Sequence, residues 1–277
     1  MHSLSGRTIA VTGAGSGIGR ALALNLAKRG AKLALADKDD AGLLETSRML
    51  GNYPHFADAF DVTDSARLHG WVDRAVTEFG ALDGIINNAG LSVVAPFADC
   101  PKADFDRVMA VNFDAVVEGC RAALPHVRKS DSGWIVNISS VFGMMGYPTQ
   151  SAYNASKYAV RGLTEAMHLE LAVTDPQIKV IRVHPGGIKT NVAKNAKFIA
   201  SLDGEPRALD SDEQFQQAAK TTPEQAAETI VSSMERGQHR VLIGPDARMI
   251  DWITRLFPVR YFRMIGHFLG GGRPSSN

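Results

Sequence analysis

Tyr153 and Lys157 stand four residues apart in Tyr153-Asn154-Ala155-Ser156-Lys157, where a segment of helical period begins. That spacing puts the phenol and the ammonium on one helix face. A free tyrosine titrates near ~10 and is a poor acid or base at neutral pH, but an adjacent cation favours the phenolate and lowers its pKa. The pair therefore predicts proton transfer at an oxygen, with Tyr153 as acid or base and Lys157 tuning it. Hydride delivery to a ketone leaves an alkoxide that needs such a proton, and the reverse reaction needs the same group as base. Taken alone, Tyr-x-x-x-Lys also describes an aromatic ring packed over a lysine stem, so the rest of the chain must decide.

A second cluster could hold a dinucleotide. Thr12-Gly13-Ala14-Gly15-Ser16-Gly17-Ile18-Gly19 lies between a β-rich run and a helical one. Glycines there let a pyrophosphate approach the backbone, and the helix N-terminus offers free N–H groups. Gly13, Gly17 and Gly19 are spaced Gly-x-x-x-Gly-x-Gly, which departs from G-x-G-x-x-G and leaves a plain tight turn open. Asp37 closes the next strand eighteen residues beyond Gly19, where a carboxylate can accept from adenosine ribose hydroxyls and repel a 2′-phosphate. This predicts NAD. Lys38 follows at once and can pair with that phosphate, which keeps NADP open; a solvated turn with Asp39 and Asp40 is the plainer reading.

These residues need a scaffold. Seven β-rich runs lie near Arg7 to Val11, Lys32 to Ala36, His55 to Phe60, Leu82 to Asn87, Gly133 to Ser139, Lys179 to His184 and His239 to Ile243. Helical segments alternate with them: Ile18, Leu22 and Leu26 mark the first, followed by Asp64 to Phe79, Lys102 to Val127, Ser151 to Val173 and Pro223 to Arg236. The alternation predicts one α/β Rossmann-type doubly wound domain with a seven-stranded parallel sheet flanked by helices. The 277 residues are divided into this domain, residues 1–244, and an amphipathic extension, residues 245–277. Residues 191–222 read as a polar loop.

Composition narrows the partners. Thirty basic residues against 29 acidic give a net charge of +1, no footprint for nucleic acid. Cys100 and Cys120 lack disulfide or metal-ligand spacing, so free thiols in a reducing cytoplasm and no metal are expected. Met1 to Arg7 is too short and polar for a secretory signal, and no apolar run is long enough to span a bilayer.

The motifs in their order resemble the short-chain dehydrogenase/reductase family from about Arg7 to Ile243. The likeness rests on Thr12 to Gly19, Asp61-Val62, Asn87-Asn88-Ala89-Gly90, Asn112 in Val111-Asn112-Phe113, Ser140, Tyr153, Lys157 and Pro185-Gly186-Gly187-Ile188-Lys189-Thr190. It implies an NAD(P)-dependent oxidoreductase acting on a secondary alcohol/ketone pair. In it Ser140, thirteen residues before Tyr153, positions the substrate oxygen in preference to Ser139. Lys157 also binds the nicotinamide ribose, and Asn112, at a break in its helix, holds a proton-relay water. Asp61 and Val62 flank the adenine, while Asn88, Ala89 and Gly90 approach the cofactor through backbone. Gly13, Ser16, Gly17, Ile18, Gly19, Asp37, Tyr153, Pro185, Gly186, Ile188 and Thr190 complete its contacts. His184, where the family often has asparagine, is read as a strand-end residue and not as a catalyst.

The residues between Ser140 and Tyr153 include Val141, Phe142, Met144, Met145 and Tyr147, an apolar set suited to a hydrophobic substrate or to packing the loop itself. Phe142, Tyr147, Ser140 and Gly187 are the pocket candidates. Two other functions stay open at this point: a non-catalytic dinucleotide sensor on the same fold, and a nucleotide-sugar epimerase or dehydratase, against which the glycine spacing counts. The likeness suggests a homodimer or homotetramer through the helices containing Asn112 and Tyr153. The basic, amphipathic tail is expected to dock on the domain, on a sister subunit or on a membrane surface. Every motif residue precedes Pro245, so the chemistry is expected to survive removal of the tail.

Overall fold

Residues 2–190, 196–201 and 219–268 are described in the computed structural model, 265–268 as backbone only. Nine strands run β1 (Thr8–Thr12), β2 (Lys32–Asp37), β3 (His55–Ala59), β4 (Gly84–Asn87), β5 (Val93–Val94), β6 (Gly133–Ile138), β7 (Ile178–Pro185), β8 (Lys197–Phe198) and β9 (Arg240–Ile243). Between them lie α1 (Gly17–Lys28), α2 (Asp40–Leu50), α3 (Ser65–Phe79), α4 (Lys102–Met109), α5 (Ala115–Val127), α6 (Ser151–Thr174) and α7 (Pro223–Glu235). After β9 come α8 (Pro245–Leu256) and α9 (Tyr261–Phe268).

Seven strands form the expected all-parallel sheet, in the order β3-β2-β1-β4-β6-β7-β9. The order reverses between β1 and β4, and in an open α/β sheet a ligand crevice opens at the carboxyl ends of the strands flanking such a reversal. Strands buried on both faces carry continuous apolar runs, as in Thr8–Thr12. Side-chain alternation sends Ile9, Val11, Leu33 and Leu35 toward α1 and α7, and Ala10, Ala34 and Ile85 toward α3, α5 and α6. Leu22 and Leu26 of α1 are fully buried in the first layer, each contributing about 1.5–3 kcal/mol of apolar transfer.

Helix ends follow their local chemistry. Asp64 caps α3 by accepting from the Arg67 N–H at 3.0 Å, and Gly80 ends that helix at φ 85°. Thr222 and Gln225 form a reciprocal capping box with Pro223 in the first turn of α7.

Four features depart from the sequence reading. Asp39 and Asp40 do not sit in an open turn, because α2 begins there and buries Leu43, Thr46 and Leu50 on one face. The segment that periodicity read as one helix from Lys102 to Val127 contains a π turn over Ala110–Asp114, where the family likeness alone implied a break at Asn112. Within the segment read as a loop, Lys197–Phe198 pairs with Val93–Val94 as a small second sheet, and residues 191–195 and 202–218 lie outside the described residues. The tail is also less separable than expected. Ala247, Ile250 and Ile253 of α8 are buried against Val141, Met144, Met145 and Tyr147, and the Gly187 N–H donates to Asp246 at 2.6 Å. Removing residues beyond Pro245 would therefore strip a partner from a motif residue. No described helix is long and apolar enough to cross a membrane.

Candidate active site

The glycine turn leaves the C-terminal end of β1 and enters α1. A methyl group on Gly13, which sits at φ 68°, would lie 2.8 Å from Asn88 Nδ2 and 2.9 Å from Ala89 Cα. On Gly19 it would overlap the carbonyl oxygen of Gly13. Only hydrogen fits at either place. The amide of Asn88 donates to the carbonyls of Thr12 (3.0 Å) and Gly13 (3.2 Å), while Thr12 Oγ1 accepts from the N–H groups of Asn88 (3.0 Å) and Ala89 (3.1 Å). Thr12 thus joins the two loops that flank the strand-order reversal, a role its sequence position did not disclose. Arg20 steadies the turn from the other side through the carbonyls of Gly15 and Gly42 and the hydroxyl of Thr46.

Asp37 lies at the end of β2, as expected, with each oxygen already accepting one backbone N–H: Gly15 at 2.8 Å and Asp39 at 2.9 Å. A carboxylate has about four lone-pair directions, so acceptor capacity remains toward a ribose. Lys38 is exposed. Asp61 is engaged by Arg107, by the Thr63 N–H at 3.0 Å and by the Thr63 hydroxyl at 2.7 Å. Partial burial opposes its charge, but these donors prevail and bring its pKa down to about 2. Val62 beside it is buried.

The Tyr153–Lys157 pair projects from the first turns of α6 beneath the end of β6. Thr149, just ahead of the helix, is the one non-glycine at positive φ among the described residues, at 67°. For a β-branched side chain that conformation costs roughly 1–3 kcal/mol. The Tyr153 side chain is half-buried, and its phenol is hydrogen-bonded to the Ser140 hydroxyl. Lys157 Nζ donates to the Ile138 carbonyl at 2.9 Å and lies 5.5 Å from the phenol ring centre. It also stands 3.6 Å from where a methyl on Gly90 would be. Burial dominates the electrostatics of both groups. It brings the Lys157 ammonium down to about 8 and pushes the Tyr153 phenol up, with the Ser140 hydrogen bond working the other way. In the chain by itself desolvation raises Tyr153, and the group that lowers it is Ser140 and not the anticipated Lys157.

Asn112 sits in the π turn and is fully buried. Its Oδ1 accepts from the Leu91 N–H at 2.9 Å, and its Nδ2 donates to the Leu91 carbonyl (2.9 Å) and Ser156 Oγ (3.1 Å). The side chain locks the loop after β4 onto α6, with one Oδ1 lone pair left for another donor. Asn154 was not singled out by sequence, yet it donates to the carbonyls of Phe142 and Met145, each at 2.7 Å, and accepts from the Tyr147 N–H at 3.0 Å. Its place directly after Tyr153 in a helix with few apolar breaks was the available signal. Ser139, set aside in favour of Ser140, donates to the Lys157 carbonyl at 2.8 Å and so braces the lysine's helix turn.

The remaining candidates divide. Phe142 stands edge-on to Tyr153, centroids 6.1 Å apart, and stacks on Tyr147 at 5.3 Å. Tyr147 itself is buried with the α8 cluster. Gly187 faces Ala219 and Asp246. Pro185 ends β7, Ile188 is buried and bridges to Thr221, and the Thr190 methyl lies 3.3 Å from where a methyl on Gly17 would be. The strand end and the glycine turn therefore meet. His184 is fully buried with Nδ1 3.1 Å from the Ser140 carbonyl; burial brings its pKa down to about 4, so it is neutral. Among the described residues there is no cluster of His, Cys, Asp or Glu able to hold a metal ion.

A dinucleotide fits this arrangement. The glycine cradle has no room for side chains, the first N–H groups of α1 have no intrahelical partners, and Ser16, Gly17 and Ile18 around them are partly accessible.

A family model described as short chain dehydrogenase matches residues 7–198. The chain is 43% identical over 268 residues to a putative oxidoreductase, SadH, of Mycobacterium tuberculosis, covering 96% of each. It is 36% identical over 193 residues to cyclopentanol dehydrogenase of a Comamonas species, covering 69% of this chain and 76% of that one. A crystal structure of a short chain dehydrogenase/reductase from Burkholderia phymatum in complex with NAD superposes with a TM-score of 0.84 at 26% identity, covering 100% of both chains.

Proposed function

Because this chain belongs to the short-chain dehydrogenase/reductase family and is an oxidoreductase acting on CH–OH groups with NAD(P), we propose that Tyr153, Lys157, Ser140 and Asn112 carry its chemistry on a hydrophobic secondary alcohol/ketone pair. The observation that carries this reading is the Ser140–Tyr153 hydrogen bond beside the buried Lys157 and Gly90. Bound across the strand-order reversal, the nicotinamide supplies or accepts the hydride.

In ketone reduction Ser140 Oγ donates to the carbonyl oxygen and holds it against the phenol, and the Tyr153 O–H gives its proton to that oxygen as negative charge develops. In alcohol oxidation the phenolate takes the proton back. Lys157 binds the nicotinamide ribose and favours the phenolate, and Asn112 anchors the route by which its proton is replaced. Gly13, Ser16, Gly17, Ile18 and Gly19 hold the diphosphate, Asp61 and Val62 border the adenine, and Asn88, Ala89 and Gly90 line the floor. Pro185, Gly186, Ile188 and Thr190 close from above. Asp37 favours NAD over NADP, since its remaining lone pairs suit ribose hydroxyls and its charge opposes a 2′-phosphate, with Lys38 the competing influence. Phe142, edge-on to the phenol, makes the substrate side apolar.

The reading extends to assembly. Val173 of α6 stands exposed beside Leu124 of α5, and Leu169 is exposed on the same helix, apolar groups suited to a homodimer or homotetramer. A screen of cyclic and open-chain secondary alcohols and ketones with NAD(H) and NADP(H), followed at 340 nm, tests the function. Turnover of a hydrophobic member with NAD(H) preferred is expected. No turnover with any pair, despite cofactor binding, would favour a sensor.

A further inference from the structure

One carboxylate outside every motif reaches the cofactor side of the site. Asp246 lies in the first turn of α8, yet its side chain folds back onto the segment that leaves β7. Its Oδ2 accepts from the Gly187 N–H at 2.6 Å, a short charge-assisted contact. Three glycines make room for it. A methyl on Gly186 would overlap both carboxylate oxygens, one on Gly244 would overlap Oδ1, and one on Gly187 would come within 3.7 Å of Oδ2. Gly244 also holds φ 95°, the turn that swings the start of α8 back over the end of β7.

The held segment is short and tied at its other points. Gly186 N–H donates to the Ile243 carbonyl at 2.9 Å, Lys189 N–H donates to the Thr221 carbonyl at 3.0 Å, and Ile188 is buried. It ends at Thr190, whose methyl packs over Gly17 of the glycine turn. These five residues thus lead from the end of β7 to the glycine turn, and Asp246 supplies a carboxylate contact to them. With an N–H committed to a carboxylate, the peptide between Gly186 and Gly187 has one orientation, which fixes the path of the residues beyond it.

We propose that Asp246 is a positioning residue for the dinucleotide, holding residues 186–190 in place across the glycine turn from a helix that none of the family motifs reaches. The inference rests on the cofactor reading above. Its consequence is that the C-terminal extension contributes to cofactor affinity and does not serve only as an apolar wall.

The test uses the full-length protein, its Asp246→Ala and Asp246→Asn variants, and three readouts: NADH and NADPH titration by fluorescence, amide hydrogen exchange of residues 186–190 without cofactor, and thermal unfolding. Asp246→Ala should weaken NADH binding about tenfold or more, consistent with one lost charge-assisted hydrogen bond. Its KM for the cofactor should rise while kcat changes far less, and residues 186–190 should exchange faster. Asp246→Asn keeps an acceptor and should recover most of the affinity, ending within about threefold to fivefold of wild type. If the alanine variant does not fold, that smaller loss in Asp246→Asn carries the test, and an unchanged affinity there overturns the proposal. A folded Asp246→Ala that melts earlier but binds NADH as wild type does, or leaves exchange at 186–190 unchanged, also overturns it, assigning Asp246 to stability alone. Wild-type protein that binds neither dinucleotide would remove the cofactor reading itself.

Discussion

The two sides of the cleft are built in different ways. On the dinucleotide side, Thr12 and Asn88 interlock through hydrogen bonds between their side chains and backbone, and Gly13 and Gly19 sit in contacts that admit no side chain. On the carbonyl side, the loop from Ser140 to Tyr147 is shaped by an apolar cluster it shares with α8, reinforced by Asn154 from within and by the Tyr261 hydroxyl, which accepts from the Gly146 N–H at 3.1 Å. Directional bonds tolerate almost no change of residue, whereas apolar packing tolerates many sequences of suitable volume. The first side therefore keeps one ligand geometry, and the second can be reshaped for different substrates without disturbing it.

The largest effect is expected where the sides meet. Tyr153→Phe should lower kcat by about 10²–10⁴-fold while NADH affinity stays at the wild-type value. Wild-type turnover in the folded variant would mean that proton transfer lies elsewhere. Next in size, Gly19→Ala should cost more than about 4 kcal/mol or yield no soluble protein, since the methyl overlaps Gly13. Gly80→Ala is the control: that glycine is left-handed at φ 85° but has open space around it, so only the backbone penalty of about 1–2 kcal/mol should appear in denaturant melts. Equal losses would break the contrast drawn above.

On the apolar side, Ile250→Ala should cost roughly 2–5 kcal/mol and raise the KM for ketone more than the Kd for NADH. A shift of both constants by the same factor would show the two sides to be one unit. Smaller again is a pH effect at the joint. Lys157 titrates at about 8 when folded against 10.5 when exposed, so between these values the unfolded chain binds the extra proton and stability rises with pH. Below pH 8 the buried charge is a standing penalty, on the order of 3 kcal/mol before its hydrogen bond to Ile138 offsets part of it. Lys157→Met should flatten that slope in urea melts at pH 7 to 10 and raise stability at pH 7 even as activity disappears. An unaltered slope would remove the charge from the balance. The smallest effect belongs to the outer face of α8. Trp252, 61% exposed, should tolerate Ser within about 0.5 kcal/mol and without a change in elution volume. A larger change would mean that a sister subunit or another surface covers that face.

The contrast also explains what could be read from residues alone. The sheet and its strand positions were legible, and Tyr153 and Lys157 could be singled out as a pair, because period, turn glycines and helical spacing are local; Ser140 was named only through the family likeness. The break at Asn112 was anticipated, but only through the family likeness, since its cause is the contact of its amide with Leu91, twenty-one positions away. α2 went unread because its apolar positions, Leu43 and Leu50, are sparse and its start is masked by consecutive aspartates. For Met144, Met145 and Tyr147 a pocket wall and loop packing both stayed open, because nothing in their spacing reveals that Ala247, Ile250 and Ile253 cover them. Asp246 lay beyond any local pattern, fifty-nine residues from the amide it holds.

The wholly parallel sheet has a consequence for how the enzyme comes into being. No two of its strands can pair through a hairpin, so each pairing waits for a crossover, and the central contact joins Ile9 to Gly84. Such long-range pairing is intrinsically slow. On a ribosome the glycine turn emerges first, yet β4, against which it is fastened, follows only after two further strands and three helices. The partner of Gly187 is made fifty-nine residues later than Gly187 itself. A nascent chain halted between Thr190 and α8 carries the motif residues without the frame that aligns them, and its unpaired strand edges stay open to association with other chains for that interval.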